Sequence, residues 1–219
     1  MTSPTPTPML TSTAGDNPNF TTTDVDALLS FWFDGYDLSS GAPADPSLVR
    51  RWFLRTPEFA RSCGIFTPLL TLLSTTFTPS TIATLATTPR RALALTILLT
   101  QIPRLLFPAS PIHSVYDPLS LAVATHALSP AHRYDLEWKR SAAVRMWFLL
   151  PGGNSRDLDV LEQTLRRAEE LVHDAGEIVD GVWDGAKVAE ARNLLRFLEG
   201  RRDEVKAAEG EGEGEGVAL

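Results

Sequence analysis

Residues 87–107 read TTPRRALALTILLTQIPRLLF, and this stretch decides the fold. Thr88 supplies a capping oxygen and Pro89 occupies the first helical turn, where a missing N–H costs nothing. Ala92 to Leu99 then cover most of the helix circumference with apolar side chains, with Thr96 and Thr100 the polar exceptions. A helix that is apolar all round must be buried by neighbours on every side. Pro103 lacks an N–H and its ring clashes with the carbonyl four residues back, so it ends or kinks the helix and frees the Leu99 carbonyl. Gln101 and Arg104 fall three residues apart on one side of that kink, with Thr100 four before Arg104. Two readings follow: Gln101 satisfies the freed carbonyl while Arg104 pairs with a carboxylate or helix C-terminus, or both face a pocket and hold a carboxylate, phosphate or carbonyl oxygen.

The same punctuation recurs on either side of this stretch. TTTDVDALLSFWF offers Thr and Asp caps ahead of Val25, Leu28, Leu29, Trp32 and Phe33, whose spacing lines one face of a helix over about 22–34. Asp45-Pro46, Thr56-Pro57, Thr78-Pro79, Thr88-Pro89, Asp117-Pro118 and Ser129-Pro130 each put a capping oxygen before a proline and read as helix starts. Leu158, Leu161, Leu165, Ala168 and Val172 form one amphipathic stripe, and Val188, Ala191, Leu195 and Leu198 another. With almost no alternating strand pattern, the expectation is an all-α, single-domain antiparallel helical bundle. No tetratricopeptide consensus recurs at a fixed period of about 34 residues.

The domain is expected over 22–205, between a disordered Thr/Pro-rich head (1–21) and a disordered Gly/Glu tail (206–219), both too poor in apolar residues to bury a core. The chain has 219 residues, 43% of them hydrophobic, enough for one sizeable core. Its formal net charge is −7, and Glu209, Glu211, Glu213 and Glu215 supply four of the negative charges, leaving about −3 for the rest. A nearly neutral body without a basic stripe argues against nucleic acid as a partner. The head carries no signal-peptide run, the first basic residue is Arg50, and the longest apolar run is about half the 20 or so residues a membrane helix needs. The expectation is a cytoplasmic protein without membrane insertion.

Chemistry-bearing motifs are sparse. His113, His126, His132 and His173 show no H-x-x-x-H or other metal-ligand spacing, so no metal is expected. Neither a nucleophile elbow nor a dinucleotide or Walker loop occurs, so no cofactor is expected, and GEGEGEG in the tail has no structured element after it. Cys63 is the only cysteine, which excludes an internal disulfide and a C-x-x-C pair; in an apolar helix it packs. Aromatics are concentrated in SFWFDGY, RRWF, LEWKR and RMWFLL, and helical packing could bring Trp32, Trp52 and Trp147 together, as core or as the wall of an apolar cavity.

The order LSFWF, RRWFLRTPEF, TPRRALALTILLTQIPRLLF, YDPLSLAVATHAL, MWFLLP, NSRDL and LEQTL resembles the all-helical, tetratricopeptide-like family catalogued as domain of unknown function 924, over about residues 24–172. Where that family has D-Q-F-P-R-N, Gln101, Pro103 and Arg104 match, with Thr100 in place of the acid and Leu105 of the amide. Where it has P-F-E-H-S-E-D-L and a later Gln, Pro151, Ser155, Asp157, Leu158 and Gln163 match, with Asn154 in place of His and Arg156 of Glu. The family's late P-H-R-N segment has no counterpart in 173–205. The catalytic candidates are therefore Gln101 and Arg104, and the substrate-binding candidates are Trp32, Trp52 and Trp147 from the aromatic concentration together with Tyr116, Asn154 and Gln163.

Two functions remain open. One is a small-molecule-binding helical protein, with cofactor-independent cyclase, isomerase or hydrolase chemistry on an organic metabolite, as in fungal-type specialised metabolism. The other is a non-catalytic tetratricopeptide-like scaffold that takes a peptide segment in a helical groove. They differ in whether Arg104, Gln101, Asn154 and Trp32 share an enclosed cavity or belong to packed core and open groove.

Overall fold

Capping oxygens start the helices where the sequence places them. In the computed structural model, which describes residues 17, 19–177 and 184–214, the Thr21 hydroxyl accepts from the Asp24 N–H, and the Asp24 carboxylate accepts from the Thr21 N–H at 2.8 Å. This reciprocal box opens α1 (Thr22–Phe33). Asp45 and Thr56 cap α2 (Pro46–Phe53) and α3 (Pro57–Ser62), each with proline in the first turn. Next come α4 (Thr67–Thr76), α5 (Pro79–Ile82), and α6 (Pro89–Thr100), which Thr88 caps. The chain continues through α7 (Ile102–Leu106), α8 (His113–Leu128), α9 (Ala142–Gly153), α10 (Leu158–Ala175) and α11 (Gly185–Gly214). Short 3-10 turns lie at Cys63–Phe66, Ala83–Leu85 and Tyr134–Trp138, and no strand occurs among the described residues. The fold is a single all-α domain.

Two of the six proline pairs do not start a helix. Pro118 sits inside α8, which begins five residues earlier at His113. Its missing N–H removes one bond to the Ser114 carbonyl, a loss the first two turns of a sixteen-residue helix tolerate. Ser129-Pro130 instead forms the turn after α8: the N–H groups of His132 and Arg133 both reach the Ser129 carbonyl at 3.0 Å.

The opening segment is the axis of the fold. Every residue of α6 from Arg91 to Thr100 is buried, and α1, α8 and α9 pack around it. The helix stops where Pro103 requires. Gln101 closes α6 with its N–H on the Ile97 carbonyl at 2.8 Å, and α7 resumes with the Leu105 N–H on the Gln101 carbonyl at 3.1 Å.

The last three helices form an antiparallel layer. Arg145 reaches Asp174 while Gly152 rests on Thr164, so α9 and α10 run in opposite directions. Lys206 pairs with Glu162 and Val188 lies against Gly176, which sets α11 antiparallel to α10. Gly152 makes this layer close, since a Cβ there would stand 2.0 Å from Thr164 Oγ1. α11 runs on through Gly214, past the boundary at 205 that composition suggests. The expected head is described only at residue 17 and residues 19–21 and the tail only to 214; the rest of both lies outside the described residues. No helix among the described residues is long and apolar enough to cross a membrane.

Candidate functional site

The polar end of α6 is a tie between helices. Arg104 donates from Nη1 to the Thr100 carbonyl at 2.8 Å, so it holds a carbonyl of the broken helix end. Its Nη2 donates to Asp117 Oδ2 of α8 at 3.0 Å, and Asp117 Oδ1 lies 2.8 Å from Nη1 without hydrogen-bond alignment. Arg104 is thus engaged on both guanidinium nitrogens by the structure itself, the first of the two readings open to it. The Gln101 side chain is half-buried and makes no hydrogen bond among the described residues, so it does not take up a freed carbonyl. Thr100 Oγ1 and His113 Nδ1 nearby in sequence are buried without partners.

The tryptophans do come together, as core. Trp32 and Trp52 stack at 6.5 Å, and Trp147 meets both edge-on at 5.2 and 5.0 Å. All three are at most 2% exposed, and the Trp52 indole donates to the Trp32 carbonyl at 2.9 Å. Their edge-to-face geometry is the one the ring quadrupoles favour. Half-exposed Phe53 stacks on Trp147 at 6.0 Å and closes the cluster toward solvent. Tyr116 is buried in α8 and Asn154 forms the end of α9, its N–H on the Leu150 carbonyl at 3.1 Å. Cys63 is buried too, and burial pushes its thiol up to about 11, which leaves it a packing residue.

Gln163 lies elsewhere, on a groove of about 520 Å³ between α8, α9 and α10. Leu121, Leu128, Pro130, Phe148 and Val160 give it apolar walls, and Ser129, Gln163, Arg166, Arg167 and Glu170 add polar groups. Arg167 is occupied by Glu170 at 2.9 Å and the Leu128 carbonyl at 3.5 Å. Arg166 is exposed and makes no ion pair among the described residues.

Three groups escaped sequence reasoning. Arg145, 3% exposed on α9, donates to Asp174 at 2.5 Å and to Asp135 at 3.0 Å. Arg133 and Lys139 extend this network to Glu170 and Glu177. The only sequence signal was an arginine on the apolar strip AAVRMWFLL, where a charge has no reason to be unless carboxylates meet it. Asp174 also lies close to His173 and Glu177 in a geometry able to hold a cation, but Arg145 and Lys139 already neutralise those carboxylates. Glu190 of α11 accepts from the Ala44 N–H at 2.9 Å, and burial pushes its carboxyl up to about 7. The third is Arg166.

A family model described as "Bacterial protein of unknown function (DUF924)" matches residues 28–205. No curated protein and no solved structure matches the chain.

Proposed function

The chain belongs to that family, and from this premise we propose that it binds a small organic metabolite, one with an apolar body and an anionic group, in the groove between α8, α9 and α10. The observation that carries this reading is the pairing of apolar walls with one uncommitted cation. Leu121, Leu128, Phe148 and Val160 offer the apolar surface, Arg166 supplies a guanidinium that makes no ion pair among the described residues, and Gln163 adds an amide on the same rim. About 520 Å³ is within the range of sites for such molecules.

Gln101 and Arg104 stand apart from this groove. With Arg104 held by Thr100 and Asp117, an acid–base role for the pair finds less support than a positioning role at the helix break. The packing of Trp32, Trp52 and Trp147 against one another likewise favours core over cavity wall.

The test is titration with 8-anilinonaphthalene-1-sulfonate, a fluorescent anion of this shape. Saturable one-to-one binding is expected, weakened about tenfold by Arg166→Ala, a loss on the scale of one charge-assisted hydrogen bond, and abolished by Leu121→Trp, which fills the groove. Binding that never saturates, or that ignores both substitutions, refutes the assignment.

A second reading takes a peptide segment in the same place, favoured by the groove being open to solvent along one side. A peptide needs contacts beyond the groove ends, so its binding would respond to Phe197→Ala or Leu136→Ala, exposed apolar residues outside the groove, whereas a small metabolite would not.

A further inference from the structure

One wall of the groove is made by a turn with unusual chemistry. His126, near the end of α8, and His132, in the following turn, bring their ring centroids to 4.0 Å with the planes tilted by 37°. Tyr134 packs on both, at 6.2 and 5.0 Å. The turn between them is closed by short contacts: Ser129 Oγ lies 3.0 Å from His132 Nδ1, and the His132 N–H reaches the Ser129 carbonyl at 3.0 Å. It ends at Arg133, whose φ of 44° puts a non-glycine residue in the left-handed region. Such a conformation is strained for a side chain with a Cβ and persists only where its surroundings hold it. Asp135 and Glu170 hold it, through the Arg133 side chain. Ser129 and Pro130, the first residues of this turn, line the groove.

We propose that residues 129–133 form an acid-sensitive gate on the groove: protonation of the His126–His132 pair separates the rings, opens the turn and displaces the groove wall made by Ser129 and Pro130. The reading rests on the groove assignment above for its consequence, and on the close, tilted histidine pair for its cause. Two neutral imidazoles at 4.0 Å attract through dispersion, while two imidazolium cations at that distance repel. Neighbouring side chains offer the charged pair little relief, and solvent reaches it mainly at exposed His132. α4, α5 and the Ala83–Leu85 turn, which pack on α8, contain no ionisable side chain. From the 3-10 turn after it come Tyr134, Asp135 and Glu137, with Asp135 already paired to Arg133 and Arg145. α10 brings Arg167 and Glu170, paired with each other. α6 brings Arg90 and Arg91, α9 brings Arg145, and α7 brings Arg104, all cations.

Burial and the His132 charge both hold His126 below the ordinary imidazole value, against an opposing hydrogen bond to the Ala86 carbonyl. The sign follows. A histidine whose value is depressed in the closed state binds fewer protons there than when released, so the closed turn is fully favoured at neutral pH and loses stability as pH falls through the ordinary imidazole value.

The experiment is an NMR titration from pH 8 to pH 5, following the imidazole protons, the amides of residues 129–133 and the methyls of Leu121 and Val160, with far-UV circular dichroism confirming the fold at each point. The expected result is that His126 titrates below its ordinary value and that the turn amides and groove methyls move with the same midpoint. His132→Gln should raise the His126 midpoint and stop the co-titration, and His126→Asn should give a turn that does not move. Independent titration of the two histidines, or static turn amides and methyls, overturns the gate. Dye affinity at pH 8 and pH 5 separates the two proposals. A drop of about threefold or more that His132→Gln removes supports the gate, and unchanged affinity while the turn moves refutes it. If the dye does not bind at pH 8, the ligand reading fails, and the Leu121 and Val160 methyls alone decide the gate.

Discussion

Arg104 and Arg145 are both tied by carboxylates, and they differ in a way the sequence conceals. Arg104 stands in the most recognisable motif of the chain, yet its side chain is 17% exposed and it answers to one carboxylate, Asp117. Arg145 sits in an apolar strip that advertises nothing, is 3% exposed, and binds both Asp135 and Asp174. Arg104 joins helices near in sequence, α7 and α8. Arg145 joins α9 to α10 and to the Tyr134–Trp138 turn, so it organises a layer. A motif's visibility measures how readily its pattern is recognised, whereas structural weight follows burial and the number of charges left stranded if one is removed.

Truncating each arginine should separate the two most clearly. Arg145→Ala leaves buried Asp135 to Arg133 alone and Asp174 to Lys139 at 3.8 Å, and should cost about 3–5 kcal/mol in urea unfolding, enough to threaten the fold. Arg145→Met, paired with Asp135→Leu, should recover much of that loss, since an apolar replacement of a buried ion pair is often neutral. Arg104→Ala leaves a half-exposed Asp117 that water can reach, and should cost about 1–2 kcal/mol. Equal costs for the two would end the distinction.

A close approach without charge lies between them in size. Gly152→Ala would drive a methyl into Thr164, whose hydroxyl is bonded to the Val160 carbonyl at 2.7 Å. A loss of about 1–3 kcal/mol is expected from overpacking, and Thr164→Ala in the same chain should restore most of it. An additive double mutant would show that α9 and α10 do not meet there.

The smallest effect has the opposite sign. Glu190 is a partly buried acid with Lys187 as a weak electrostatic aid and Asp184 against it, and its carboxyl sits at about 7. Because that value is raised by folding, the native state holds the extra proton. Stability is therefore full below the unfolded value near 4.5 and is lost as pH rises toward 7. Glu190→Gln keeps an acceptor for the Ala44 N–H and should stabilise the protein at pH 8 by about 1 kcal/mol after solvent screening, with almost no effect at pH 4.5. A Tm difference that does not change with pH would remove Glu190 as the cause.

Most of the fold was legible because its signals are local. Thr21, Asp45, Thr56 and Thr88 cap helices through bonds to their own next residues, and the all-round apolarity of α6 states its burial without reference to any partner. Pro118 and Pro130 misled for the same reason: proline fixes φ and removes a donor, but whether a helix has already begun is decided upstream, at His113. The site was less legible. Which residues oppose Arg145 depends on how α10 lies against α9, which no spacing within either helix contains. Gln163 was found through resemblance, yet its companions on the groove, Leu121 and Phe148, come from helices far from it in sequence.

The three mutually packed tryptophans carry a spectroscopic consequence. Indoles held at 5.0 to 6.5 Å with fixed mutual tilt are excitonically coupled. Their near-ultraviolet bands should split into a signed couplet, and excitation should hop among them and depolarise the emission. The folded core thus contains its own optical reporter, one that fades when Trp147 parts from Trp32 and Trp52, before helix content need change.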